Sequence, residues 1–155
     1  MNHPRFRVVA LPTEIAQAAR KAAANQLPDH AIVAADSSTG YPCRHCLRFA
    51  AAGEQLVLFP YVSIAPGRPY AESGPIFVHL DPCMRYAQTS GYPDALREGR
   101  VLRAYNRRAD MIDATVVNGD GIETVIEDLL RNPKTEFLQV RSVSRGCFTM
   151  KIERA

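Results

Sequence analysis

The chain has no tryptophan and only a few lysines, Lys21, Lys134 and Lys151, so its positive charge is carried by arginine. It also lacks any window approaching the ~20 consecutive apolar residues of a membrane-spanning helix, which argues against a membrane protein. The opening Met1-Asn2-His3-Pro4-Arg5-Phe6-Arg7 has neither the apolar stretch nor the small-residue cleavage site of a secretory signal. A cytoplasmic location is the expectation. Reducing conditions there disfavour structural disulfides, so the four cysteines read first as buried thiols, metal ligands or a reactive thiol. A clustered basic stripe with interleaved aromatics is missing too. The net charge of +3 is spread along the chain, with its densest basic pair at Arg107 and Arg108, so no nucleic-acid partner is expected. There is no phosphate-cradling glycine loop, no serine nucleophile motif and no HExxH pattern, which leaves nucleotide-binding, serine-hydrolase and metalloprotease readings without support.

What is present suits one globular domain over residues 1–155. The apolar fraction is 46% and the charged fraction 23%. A chain of this length buries about two thirds of its unfolded surface, enough for a core without staples.

The periodicity predicts an α+β domain, a mostly antiparallel sheet with two main helices. Phe6 to Leu11 is a first strand. A helix starts at Pro12-Thr13, with Thr13 as its cap and Ile15, Ala18, Ala19 and Ala22 on one face. Ala31 to Ala35 is a short apolar run, and Gln55 to Val62 a strand interrupted by Pro60. Ser63 to Pro75, rich in proline and glycine, reads as an ordered surface loop of the kind that often carries function. Ile76 to Leu80 is a strand, after which Asp81-Pro82 caps a short helical turn holding Cys83, Met84 and Arg85. The C-terminal third reads as a ββαββ unit. It comprises a hairpin of 101–105 and 111–117, a helix capped by Asp120 and Glu123 with Ile122, Val125, Ile126, Leu129 and Leu130 inward, and a second hairpin of 137–143 and 147–152.

One constellation carries specific chemistry. Cys43-Arg44-His45-Cys46 sets two thiols at the spacing of a zinc knuckle, and His79 and Cys83 supply a second pair after residues 47–78. Four such ligands suit a tetrahedral zinc ion. The same residues also suit an unmetallated cluster of buried thiols with His79 as a core histidine, and Arg44, His45 and Arg48 would favour a thiolate in a redox or nucleophilic role. Cys147 is expected to be buried. Arg44, His45, Tyr70 and Glu72 are candidate ligand-binding groups, Glu72 as an acid in a constrained loop with general-base potential. Solvated or structural roles are the simpler alternative for each of them.

The chain resembles the DUF1203 family, bacterial proteins of about this length. The likeness rests on Gly40-Tyr41-Pro42-Cys43-Arg44-His45-Cys46-Leu47, Tyr70-Ala71-Glu72-Ser73-Gly74-Pro75-Ile76-Phe77-Val78-His79, Cys83, Leu102-Arg103-Ala104-Tyr105 and Gly146-Cys147-Phe148. It implies a bacterial source and no particular reaction, substrate or cofactor. The expected function is a small binding or interaction module, for a small molecule or a protein, whose Cys/His cluster holds structural zinc. The alternative is an enzyme using that cluster as a catalytic zinc or reactive-thiol site.

Overall fold

The computed structural model describes residues 5–87 and 91–155; the opening residues 1–4, part of the segment read against a secretory signal, lie outside them. Among the described residues the fold is α+β, with two α-helices and antiparallel sheets of five and three strands. The elements are β1 (Phe6–Val9), α1 (Thr13–Ala24), β2 (Ala31–Ala34), β3 (Gln55–Ile64), β4 (Glu72–His79), β5 (Arg100–Tyr105), β6 (Met111–Val117), α2 (Ile122–Arg131), β7 (Phe137–Ser142) and β8 (Phe148–Arg154). A single 3-10 turn, Asp94–Leu96, precedes β5. No helix among the described residues is long and apolar enough to cross a membrane.

Internal packing divides the chain into two compact units. The first takes in the residues up to Val9, Ser63–Glu72 and those from Ala87 onward. Its sheet runs β1-β8-β7-β5-β6, every neighbour antiparallel. Opposed residues of such a ladder share a face. On one face Val8, Ile152, Leu138, Val140, Met150, Leu102 and Ala104 are buried, as are Ile122, Ile126 and Leu130 of α2. Arg154 shows that α2 lies on this face: two residues beyond Ile152, its guanidinium donates to the backbone oxygens of Leu130, Asn132 and Thr135. Each fully buried aliphatic side chain here is worth about 2 kcal/mol in transfer free energy.

The expected ββαββ order is present. The hairpin of β5 and β6 closes at Asn106, whose Oδ1 accepts from the N–H groups of Arg108 and Asp110. Two details of α2 differ from expectation. Its N-cap is Gly121, at φ 87°, and no side chain caps it; Asp120 does not serve, and Glu123 is bound by Arg97 instead. Val125 and Leu129 are half-buried, so the core stripe is the narrower Ile122, Ile126 and Leu130.

The second unit comprises Ala10–Val62 and Ser73–Tyr86. Its elements are α1 and most of the three-stranded sheet β2-β3-β4. Here too the helix face is corrected. Ala16, Ala19 and Ala23 are buried, while Ile15 and Ala22 are half-buried and Ala18 is exposed. Thr13 makes no cap hydrogen bond.

The loop expected from Ser63 to Pro75 is present over 65–71, and its two ends are strand, β3 extending to Ile64 and β4 beginning at Glu72. Pro75 is tolerated because β4 is an edge strand of its sheet, where one side needs no donor. Pro60 lies within β3 beyond Leu58, the last residue on that side opposed to β2.

Candidate metal centre

The second unit builds one cluster from its knuckle and from the end of β4. The knuckle folds back on itself: Cys43 N–H donates to the oxygen of Arg48, and Leu47 N–H to the oxygen of Cys43. Leu47 adopts a left-handed φ of 57°, which completes the reversal just after the second cysteine. A parallel bridge joins Cys43 to Phe77, and Arg44 N–H donates to the oxygen of Phe77. The knuckle is thereby fixed two residues from His79. A small core of Ala35, Ala50 and Leu56, with Val33, Tyr41 and Phe77 packed against it, supports this corner.

The ligand atoms of Cys43, Cys46, His79 and Cys83 all lie within 4.8 Å of one another. Cys43 and Cys46 are 0% and 4% exposed, and Cys83 is half-buried. The sulfurs of Cys43 and Cys83 are 3.8 Å apart, and Cys46 Sγ lies 3.5 Å from His79 Nδ1. With Zn–S near 2.3 Å and Zn–N near 2.0–2.1 Å, a tetrahedral ion has S–S edges of about 3.8 Å and S–N edges of about 3.6 Å. A disulfide would instead need about 2.05 Å. All four cysteines are free.

The surrounding groups favour thiolates. Cys43 accepts backbone hydrogen bonds from His79 N–H at 3.3 Å and from the N–H of Cys46, and Cys46 accepts one from Arg48. Hydrogen bonds from Cys46 and Cys83 push the pKa of Cys43 far down, while those same bonds to Cys43, helped by burial and by its negative charge, push those of Cys46 and Cys83 up. Without a cation to share, one thiolate is favoured and its neighbours keep their protons. A divalent metal removes that competition.

Each remaining donor has a supporting contact. His79 presents Nδ1 to the sulfurs, and its Nε2 lies 3.3 Å from the Glu54 carboxylate. The other oxygen of that carboxylate accepts from Ala51 N–H at 2.8 Å. A carboxylate behind a histidine fixes the tautomer that leaves the other nitrogen free to ligate. Hydrogen bonding to Cys43 is the main reason the His79 pKa is raised.

Cys83 meets His45 Nδ1 at 3.1 Å and an Arg20 nitrogen at 3.5 Å. His45 is 1% exposed and burial pushes its pKa down, so it is a neutral imidazole with a single N–H. Toward a Cys83 thiolate, which only accepts, that proton is on Nδ1, and the Thr13 hydroxyl donates to Nε2 across 2.9 Å. Arg20 shares the helix face of Ala16, Ala19 and Ala23, where small side chains permit close packing, and its Nε also donates to the oxygen of His79.

Other expected residues fall elsewhere. Residues 81–87 are irregular, so no helical turn carries Cys83; Tyr86 N–H donates to His45 O, and the Arg85 guanidinium to Ala10 O. Arg44 is buried in the knuckle, where it donates to the oxygen of Pro42. Of the four ligand candidates, only Arg44 and His45 belong to the unit that carries the cysteines; Tyr70 and Glu72 belong to the first unit. Tyr70 is exposed. Glu72 opens β4 and does not sit in a loop, its carboxylate taken by Arg141 at 2.7 Å and Arg103 at 3.3 Å. Cys147 is half-exposed rather than buried. Glu54, Arg20 and Thr13 were not legible as site residues, since each is a solitary polar residue with no spacing to mark it.

The fold and the cluster define an α+β protein with a four-residue thiolate and imidazole group able to hold a metal ion. The chain belongs to the DUF1203 family, described as proteins of unknown function, whose model matches residues 40–154 and so includes all four candidate ligands. Neither a curated protein nor a solved structure matches the chain.

Proposed function

We propose that Cys43, Cys46, His79 and Cys83 hold one zinc ion as a structural centre, and that the protein is a small binding or interaction module of the reducing cytoplasm. The observation that carries this reading is the pair of ligand separations, 3.8 Å between Cys43 and Cys83 and 3.5 Å between Cys46 and His79, which match the edges of a tetrahedral site. Four protein ligands leave no position for water, the arrangement of a structural site and not of a catalytic one. Zinc would join the knuckle to the chain beyond β4 without help from a helix end. Three thiolates and one neutral imidazole leave the loaded site with a net negative charge, which Arg20 and the His45 N–H offset at Cys83.

The test is metal content by mass spectrometry on protein purified without a metal-affinity tag, together with a count of free thiols. Zinc at about one equivalent is expected from a four-ligand site. Protein free of metal with every thiol reactive would overturn the proposal. Cys43→Ser should release the metal and open residues 41–50 and 77–86 to hydrogen exchange, whereas Cys147→Ser should do neither.

A further inference from the structure

Arg100 opens β5 on the face of the five-stranded sheet that α2 covers, in line with the fully buried Leu102 and Ala104. Only 8% of it is exposed. Among the described residues its guanidinium makes no hydrogen bond or ion pair, and its Nε is buried without a partner. Other arginines of this unit are satisfied. Arg141, 2% exposed on the opposite face, donates to Glu72, Gln139 and the oxygen of Gly146. Arg154 is bound by three backbone oxygens, and Arg97 by Glu123 and Asp94.

An arginine does not escape this situation by losing its proton, as a buried lysine can, because its guanidinium stays charged in proteins. Burial disfavours the Arg100 cation, and the group nearest it electrostatically is the phenol of Tyr92, whose hydroxyl already donates to the oxygen of Leu96. The buried Nε forfeits its hydration with nothing in return, a rare state for part of a cation, whereas the two Nη nitrogens are not shut off in this way. The planar donor fork of arginine matches the paired oxygens of a carboxylate or a phosphate.

The ladder supplies a second donor. Ser142 is the residue of β7 directly opposite Arg100 and shares its face. Its hydroxyl lies 3.3 Å from that of Ser144 and accepts from the N–H of Arg145, so the turn leaving β7 gathers hydroxyls at this end of the sheet.

We propose that Arg100 anchors an oxyanion-binding site, which takes the carboxylate or phosphate group of a small molecule at the end of β5, with Ser142 as an additional donor. The site is independent of the cysteine cluster and does not require zinc. It gives the module a ligand class: small anionic molecules.

The experiment is a titration of the full chain with inorganic phosphate, and separately with formate, at constant ionic strength in chloride. It is followed through the arginine Nε–Hε resonances, that of Arg100 being identified by through-bond assignment. A saturable shift of the Arg100 signal is expected with one of the two anions, while the exposed Arg107 shifts weakly and without saturation. Saturation by phosphate assigns a phosphate ligand, and saturation by formate a carboxylate. Shifts that are linear, and equal at Arg100 and Arg107, with both anions would overturn the site. The anion that saturates should also raise the thermal midpoint of the wild type and of Arg103→Gln, but not of Arg100→Gln. Should Arg100→Gln fail to fold, the wild-type titration decides alone.

Discussion

The Glu54 carboxylate stands 3.3 Å from Nε2 of His79, behind the ring whose Nδ1 faces the sulfur of Cys46. Glu54 therefore touches no candidate ligand atom yet sets which nitrogen of His79 is available. Loss of such an outer partner typically weakens metal binding about 10- to 100-fold. Glu54 is half-exposed, so Glu54→Gln should fall near the lower bound, about tenfold, measured by competition for zinc with a chromophoric chelator. The variant should remain folded, because Ala51 N–H can still be accepted by the amide oxygen. Unchanged affinity would mean that His79 is oriented by its backbone alone.

How far this site was legible follows from how its residues are arranged along the chain. Cys43 and Cys46 are marked by their spacing, and His79 and Cys83 by being a ligand pair at the end of a strand. Glu54 in a turn and Arg20 on a helix carry no such mark; only the fold aligns them. The helical turn expected at 81–85 failed because the chain there bonds across to the knuckle and to Ala10 instead of to itself. The ββαββ unit was readable because α2 keeps the 3.6-residue period, β8 alternates Phe148, Met150 and Ile152 with Thr149, Lys151 and Glu153, and a polar turn at 106–110 separates two apolar runs. The loop expected at 63–75 holds over 65–71, where Pro66, Gly67 and Pro69 lie, and is shorter than expected because the edge strand β4 accepts Gly74 and Pro75.

Glu72 illustrates a residue picked out for reactivity that the structure assigns to charge balance. Arg141 is 2% exposed and Glu72 is its acidic partner, with Arg103 on the second carboxylate oxygen. Glu72→Gln removes that negative charge and turns a donor toward a guanidinium. A hydrogen bond to a charged group contributes about 1.5–3 kcal/mol. Because the Glu72 side chain is 38% exposed, the cost should be about 2 kcal/mol, below that of breaking a fully buried pair. Arg103→Gln should cost less than about 1 kcal/mol, since its contact is long and partly solvated. Urea unfolding of both variants measures the difference. Equal midpoints would show that Gln139, Ser63 and the oxygen of Gly146 suffice for Arg141.

The Arg97 and Glu123 pair makes acid stability depend on one carboxylate at the start of α2. The Arg97 guanidinium, donating through two nitrogens, holds the Glu123 carboxyl below its ordinary 4.5. A group with a depressed pKa in the folded state stabilises fully above its unfolded value, and that contribution is lost as pH falls through the folded one. Glu123→Gln should therefore lower the thermal midpoint near neutral pH and bring wild type and variant together in acid, the gap closing below 4.5. With the Glu123 side chain 36% exposed the effect is small, under about 1 kcal/mol. A gap that stays constant as pH falls from neutrality to well below 4.5 would show that the pair contributes no ionic stabilisation.

The end of α1 contains a strain that one substitution should relieve. After the last turn, Gln26 N–H donates to the oxygen of Ala23 and Leu27 N–H to that of Ala22, the paired bonds of a Schellman cap. The residue that makes this reversal must take a left-handed conformation, and Gln26 does so at φ 57°. Glycine occupies that position in most such caps because a Cβ there crowds the following carbonyl, at a cost of roughly 1–2 kcal/mol. Gln26 is exposed, so its side chain loses little on removal. Against the relief stands the greater freedom of glycine in the unfolded chain, worth about 0.5–1 kcal/mol. Gln26→Gly should thus stabilise by about 0.5–1 kcal/mol, seen as a higher thermal midpoint and slower exchange of the Gln26 and Leu27 amides. Since α1 also carries Arg20 to Cys83, a tighter helix end should leave zinc affinity unchanged, because the cap lies more than a turn beyond Arg20 and does not touch the ligands. A fall in stability would mean that the left-handed residue is no strain in this cap.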